Sequence, residues 1–365
     1  MKKIICLLVL FSMMLTCFAS CSTLKYERAM KLIEKGEYEK AYAIFEELGD
    51  SEMCAKFHYV PVSVKNTFAG GTKHSFEYFE YNENGLLSKI TYGDSGHSVE
   101  FLYDENGNFI REITNNNGVK SFESYTYDKN GNKIKTVSIG ASDEVRYTEY
   151  TYDSDNHKTK NQSFDSSGNP GGKIEWLYDD KGNMVKRIYG AYDNYSVMEF
   201  TYDEKGNMTG RYDTSDSSNS SYEYIYDDSG KKIKEIFINS DGKETVTEYL
   251  YDDNGNLIKT LTKAYAFTLN RSTEYYYDDN NRLVKRVAKD ALGKSYGIYE
   301  WTYDEKGNMI KYSDYPGGPY EIVEYEYKLV YISYDLEDLY SATREMLSKY
   351  LGKNFEYLYQ KNMFM

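Results

Sequence analysis

The chain has 365 residues, 42 of them tyrosine, and a formal net charge of −14. That charge disfavours nucleic acid and anionic lipid surfaces as partners. The four histidines, His58, His74, His97 and His157, are scattered without ligand spacing, so metal binding is unsupported.

Residues 1–20 read as an export signal. Lys2 and Lys3 give a basic start, and Ile4 to Leu15 form an apolar run too short to span a bilayer comfortably. The run ends Phe18-Ala19-Ser20-Cys21. This resembles a bacterial lipobox, although Phe18 stands where Leu is usual. The resemblance implies that Cys21 is acylated, by palmitate-type chains, and becomes the mature N-terminus. Two or three such chains hold a protein on a membrane durably. The expected address is therefore the cell membrane, lipid-anchored, facing outside the cytoplasm. Loss of the signal removes Cys6 and Cys17, and acylation of Cys21 leaves Cys54 as the remaining thiol. No intrachain disulfide is then expected, despite the exported context.

Residues 21–60 have helical spacing. Tyr26, Ala29, Leu32 and Ile33 predict one helix, Tyr38, Ala41, Phe45 and Leu48 a second, and Met53, Ala55 and Phe57 a third. Gly36 and Gly49-Asp50-Ser51 separate them. Gly36-x-Tyr38-x-x-Ala41-x-x-x-Phe45 is similar to a tetratricopeptide helix pair. A peptide groove needs several stacked repeats, so this segment is expected to serve as a helical cap.

Residues 61–333 carry a repeat. Tyrosines fall at 81, 103, 127, 152, 178, 202, 226, 251, 277 and 303, at spacings of 22 to 26 residues, with Tyr327 as a half copy. In Tyr303-Asp304-Glu305-Lys306-Gly307-Asn308 the aspartate suits the start of a type I turn, and the glycine suits a left-handed G1 bulge. The glycine position is filled otherwise at Asn156 and Asn281, and Asn best tolerates that backbone region. Each unit thus predicts a β-hairpin. The expected register sets Tyr303 opposite Met309, Trp301 opposite Lys311 and Thr302 opposite Ile310. One face would then carry two aromatic columns beside a column of cations, Lys89 to Lys311. The other would carry a glutamate column, from Glu100 to Glu324, interspersed with Arg187, Arg211 and Arg286.

The units resemble the YD-repeat (Rhs-type) family, as in Tyr251-Asp252-Asp253-Asn254-Gly255-Asn256-Leu257 and Tyr103-Asp104-Glu105-Asn106-Gly107-Asn108-Phe109. Members wind such hairpins into β-spirals, and long ones enclose a toxin. This chain has no Asp-Pro-x-Gly-type cleavage segment and no toxin-like tail, so the cocoon function is not implied. About twenty strands are expected to be too few for a closed shell. The expected fold is mainly β: an antiparallel meander coiled into a spiral or open shell, with small helical caps at both ends.

Residues 334–365 predict a C-terminal helix from Asp335 to Gly352, covering the last sheet edge, and a tail that docks back.

Acids recur in nearly every unit as a structural role requires, and no Ser-His-Asp arrangement or phosphate loop occurs. No cofactor and no catalytic residue is expected. Trp176 and Trp301 stand in the aromatic column, where packing is the first reading and stacking on a sugar ring the second. The function expected is a surface binding or adhesion scaffold for a cell-wall glycan or a protein. The alternatives are an enzyme acting on envelope polysaccharide and a structural remnant of an Rhs-type toxin system.

Overall fold

The computed structural model describes residues 22–68, 73–93, 95–191, 194–315 and 321–334, and the single residues Thr343, Met346 and Lys349. The signal 1–20, the lipidation site Cys21, the Pro316-Gly317-Gly318 turn and most of the C-terminal helix and tail lie outside these residues.

Three helices lead: α1 (22–34), α2 (Tyr38–Leu48) and α3 (Ser51–Ala55). The Asp50 carboxylate accepts the Met53 N–H at 3.0 Å and caps α3. The strands β1 to β8 are Phe57–Phe68, Lys73–Tyr81, Leu87–Tyr92, His97–Tyr103, Phe109–Asn116, Val119–Tyr127, Lys133–Ile139 and Val145–Tyr152. Strands β9 to β15 are Lys158–Phe164, Pro170–Tyr178, Met184–Ala191, Asn194–Tyr202, Met208–Ser215, Asn219–Tyr226 and Lys232–Ile238. Strands β16 to β22 are Glu244–Tyr251, Leu257–Ala264, Arg271–Tyr277, Leu283–Lys289, Ser295–Tyr303, Met309–Tyr315 and Glu321–Tyr331.

Every strand pairs antiparallel with the next. Strand β22 then pairs with β1, from Phe57↔Tyr331 to Thr67↔Ile322. The sheet is a closed 22-stranded barrel, which corrects the expected open spiral. A long open sheet curls because its strands twist. Here the curl brings the two ends together, and their pairing removes both rows of unpaired edge groups. The seam is reinforced outside by Lys65–Glu324 at 3.1 Å and by Ser63 donating to Glu326 at 2.9 Å.

The turn geometry follows the expected rule. The Asp104 N–H donates to the Asn108 carbonyl at 2.9 Å and the Gly107 N–H to the Asp104 carbonyl at 3.1 Å. The Asp104 carboxylate accepts the Asn106 and Asn108 N–H groups and the Asn108 side-chain amide. Asn156 and Asn281 have φ of 65° and 58°, as a left-handed corner requires. Four turns at the opposite rim reuse the geometry, at Gly140–Glu144, Asp165–Asn169, Asn239–Lys243 and Asp290–Lys294.

Past the bulge the register departs from expectation. Tyr303 does face Met309, but Thr302 faces Lys311 and Trp301 faces Tyr312. A second bulge, beyond the corner, leaves Ile310 unpaired and so moves Lys311 to the other face. The lysine column therefore lies opposite the glutamate column, as in Lys285–Glu300 at 2.9 Å, Lys186–Glu199 at 2.7 Å and Lys135–Glu149 at 3.3 Å. Arg211 and Arg286 lie on the aromatic face, over the Tyr222 and Tyr299 rings.

The aromatic face is the concave one. Tyr312 on β21, Phe79 on β2, Phe101 on β4 and Tyr125 on β6 join a single cluster there. The other face carries exposed Leu102, Ile134, Leu177, Leu250 and Ile310. The dry core occupies one sector of the barrel, at β1–β5 and β22. Met346 fills it, and the Thr343 hydroxyl accepts the Phe109 N–H at 2.7 Å. These two residues of the C-terminal segment thus lie against the inner wall. The leading helices pack instead on a rim: Ala29, Ala41 and Phe45 bury against Phe57 and Leu329, where β1 and β22 run beyond the barrel.

Candidate binding site on the inner wall

The recurring tyrosine has a role that sequence reasoning missed. Its hydroxyl donates to a main-chain carbonyl of the preceding hairpin in all eleven copies, from Tyr81 (to Pro61) to Tyr327 (to Met309), at 2.5–3.0 Å. Between hairpins the ladder ends early, for example at Lys89↔Glu100 and Lys135↔Glu149. The bulged strand turns away there and leaves a carbonyl without a main-chain donor. The tyrosine supplies the donor, satisfying a group that would otherwise cost free energy. The constant spacing of tyrosine and glycine was the available signal.

Away from the dry sector the inner wall is half-exposed. Tyr150, Trp176, Tyr224, Tyr249 and Tyr275 all keep contact with solvent. Lysines stand between their rings. Lys133 lies 5.4 Å and 5.3 Å from the Tyr125 and Tyr150 centroids, and Lys158 lies 5.6 Å and 5.2 Å from Tyr150 and Trp176. Lys232 sits between Tyr224 and Tyr249 at 5.2 Å and 4.6 Å. Each such contact contributes about 0.5–1 kcal/mol. These lysines are not the predicted column; they occupy the position facing the recurring tyrosine, as in Tyr152↔Lys158.

Charge on the wall is mostly compensated. Arg211 forks onto Asp213, and that hydrogen bond raises its pKa above the usual arginine value. Lys232 pairs with Glu235 at 2.8 Å. The Tyr125 hydroxyl donates to Glu123 at 2.6 Å, and burial, then that bond, drives its phenol far above the ordinary range.

Both tryptophans singled out in the sequence stand on this wall, half-buried. Trp176 faces Arg187 and carries the Lys158 ammonium. Trp301 lies 5.6 Å from Tyr312 at 48°. They belong to different sectors and do not form one site. Asp153, Asp155 and His157 bring ligand atoms within 4.8 Å of one another. That grouping is the turn's own network, with His157 donating to Asp153 where other turns use Asn.

The Teneurin YD-shell family model matches residues 33–298. The chain belongs to the Teneurin YD-shell family. The YD-shell match spans the hairpins from β1 into β20 and reaches back into the leading helices. No curated protein sequence matches the chain. Among solved structures, one titled "Crystal Structure of TcdB2-TccC3-TEV" is similar over 69% of this chain and 15% of its own, with 12% identity and a TM-score of 0.34. A porin-like protein from Bacteroides uniformis is similar over 73% of this chain and 98% of its own, with 9% identity and a TM-score of 0.29. The YD-shell chain thus spans a small fraction of the first of these, and likeness this faint says nothing about function.

Proposed function

We propose that the chain is exported, lipidated at Cys21, and serves at the cell surface as a binding scaffold without chemistry of its own. Its partner is a cell-wall glycan or a protein, received by the inner wall of the barrel. The observation that carries this reading is the division of the wall. One sector is dry and packed, whereas the sector around Tyr150, Trp176, Tyr224 and Tyr249 presents rings and cations to solvent. Half-exposed aromatics flanked by polar groups suit a partner with alternating apolar and hydrogen-bonding surface.

Membership of the YD-shell family also supports a second reading, in which the barrel is a structural remnant of an Rhs-type toxin system and holds nothing. Two measurements separate them. The mature chain in detergent, tested against wall glycan fragments and by crosslinking in whole cells, should retain a partner. That partner should be lost when Trp176 is replaced by alanine. Silence in both assays would favour the remnant. Mass spectrometry of the mature N-terminus should find acylated Cys21, and a free thiol there would remove the anchor.

A further inference from the structure

Arg187, Arg211 and Arg286 hold the same position, third after the residue facing the recurring tyrosine, and Arg187 has Tyr189 two residues on. Arg211 is satisfied by Asp213, two residues on along the same strand. The matching residue after Arg286 is Ala288, which offers no acceptor. The residue matching Asp213 on β21 is Asp314, and its own strand has Tyr312 where Arg211 would stand. An arginine without a same-strand aspartate on β19 thus stands two strands away from an aspartate without a same-strand arginine on β21.

Tyr299 lies between them, directly opposite both. Its ring folds back over Gly297, where an added Cβ would meet ring atoms at 3.0 Å. The Arg286 guanidinium covers the ring at 3.9 Å. One row away, the Trp301–Tyr312 pair forms an aromatic ledge. Among the described residues, Arg286 Nε and Asp314 Oδ1 have no hydrogen-bond partner and are shielded from solvent. A buried donor and a buried acceptor left unmade are costly, and native structures keep few of them.

We propose that Arg286, Tyr299, Trp301, Tyr312 and Asp314 form a subsite for a neutral saccharide on the inner wall, folded in on itself until ligand arrives. A sugar hydroxyl accepts from Arg286 Nε, a neighbouring hydroxyl donates to Asp314, and the ring's C–H face lies on Trp301. One charge of each sign, on Arg286 and on Asp314, suits hydroxyl groups and gives a polyanion no advantage. The subsite rests on the scaffold reading and names its ligand class.

Cellohexaose, chitohexaose and maltohexaose, titrated into the mature chain in detergent, test it. At least one should change tryptophan fluorescence with saturation and should slow hydrogen exchange in peptides from β19 to β21 of the unmutated protein. Asp314→Asn and Arg286→Lys should each weaken binding about 5- to 30-fold. Trp301→Phe should remove most of the signal, whereas Leu250→Ala, on the outer face, should leave affinity unchanged. Exchange protection needs no variant, so a misfolded mutant does not blunt the test. Unchanged affinity in both Asp314→Asn and Arg286→Lys would overturn the subsite, as would protection confined to β6–β11. Binding of none of the three sugars would overturn it too. The scaffold reading would survive that last result if crosslinking still captured a partner, and would fall with it if nothing were captured.

Discussion

Substituting Tyr103 by phenylalanine isolates the hydroxyl-to-carbonyl bond on which the array depends. Tyr103 donates to the Leu87 carbonyl at 2.5 Å, and burial alone holds its phenol far above the ordinary range. Leu87 is fully buried, and the Tyr103 ring keeps its tilted contact with Phe109 at 6.0 Å after the change. Packing is therefore preserved, and the loss is the hydroxyl and the carbonyl stranded in a dry sector. An unsatisfied buried acceptor costs about 1–3 kcal/mol. Tyr226→Phe removes the same bond, 2.7 Å to the Met208 carbonyl, in a half-exposed sector. Water can replace the donor there, and the cost should be about 0.5–1 kcal/mol. With a urea m value of about 3 kcal/mol/M, the midpoint should fall by roughly 0.3–1 M for the first variant and by less than about 0.3 M for the second. Equal shifts, or no shift for Tyr103→Phe, would refute the claim that the tyrosine works as a main-chain donor.

Two further outcomes follow from the same geometry. Gly85 has φ of +80°, and a Cβ there would meet the Tyr331 carbonyl oxygen at 2.4 Å, whereas Gly206, at +86°, has open space. Gly206→Ala should cost about 1–2 kcal/mol from the left-handed backbone alone. Gly85→Ala should cost clearly more and should loosen β22, which differential hydrogen exchange of peptides 321–334 would report. His58, 5% exposed, has its pKa lowered to about 4 chiefly by burial, with a hydrogen bond to the Ala55 backbone opposing the shift. The folded pKa lies below the unfolded value of about 6.5, so the neutral ring contributes stability that is complete above that pH. That contribution, about 3 kcal/mol, is lost as pH falls from about 6.5 toward 4. A thermal melt of His58→Phe should be flatter over that window than that of the unmutated chain; parallel curves would show that His58 titrates normally.

The hairpin was legible in residues because its requirements are local. A left-handed corner admits Gly or Asn, and an aspartate that accepts main-chain N–H groups fixes the turn before it. Closure was not legible. It depends on small twists summed over 22 strands and on contacts such as Lys65–Glu324, 259 residues apart in sequence. No periodic feature encodes where such a sum ends. The register of the inner wall failed for a different reason. The corner bulge was recognisable from Gly307, but a second bulge at Ile310 carries no such residue signal and changes the face of everything after it, so Lys311 pairs outside with Glu324. The Arg286–Asp314 separation was in principle readable, by contrast with Arg211-x-Asp213, once the face of each residue is known.

A closed antiparallel barrel invites comparison with barrels that span membranes, and the outer wall decides against it. A lipid-facing barrel needs an apolar outward band about 25 Å tall. Here the outward mid-strand positions carry Lys89–Glu100, Lys135–Glu149, Lys186–Glu199, Lys259–Glu274 and Lys285–Glu300, all within 4 Å and each partly exposed. A lysine at the bilayer midplane costs about 2–4 kcal/mol, and this wall would place one on hairpin after hairpin. In water the same pairs are nearly neutral in energy and keep neighbouring barrels from associating. The exposed apolar side chains Leu102, Leu177 and Leu250 each stand one residue before the recurring tyrosine. The leading helices are held to the rim of the tyrosine turns by Lys306 on Glu39 at 3.3 Å.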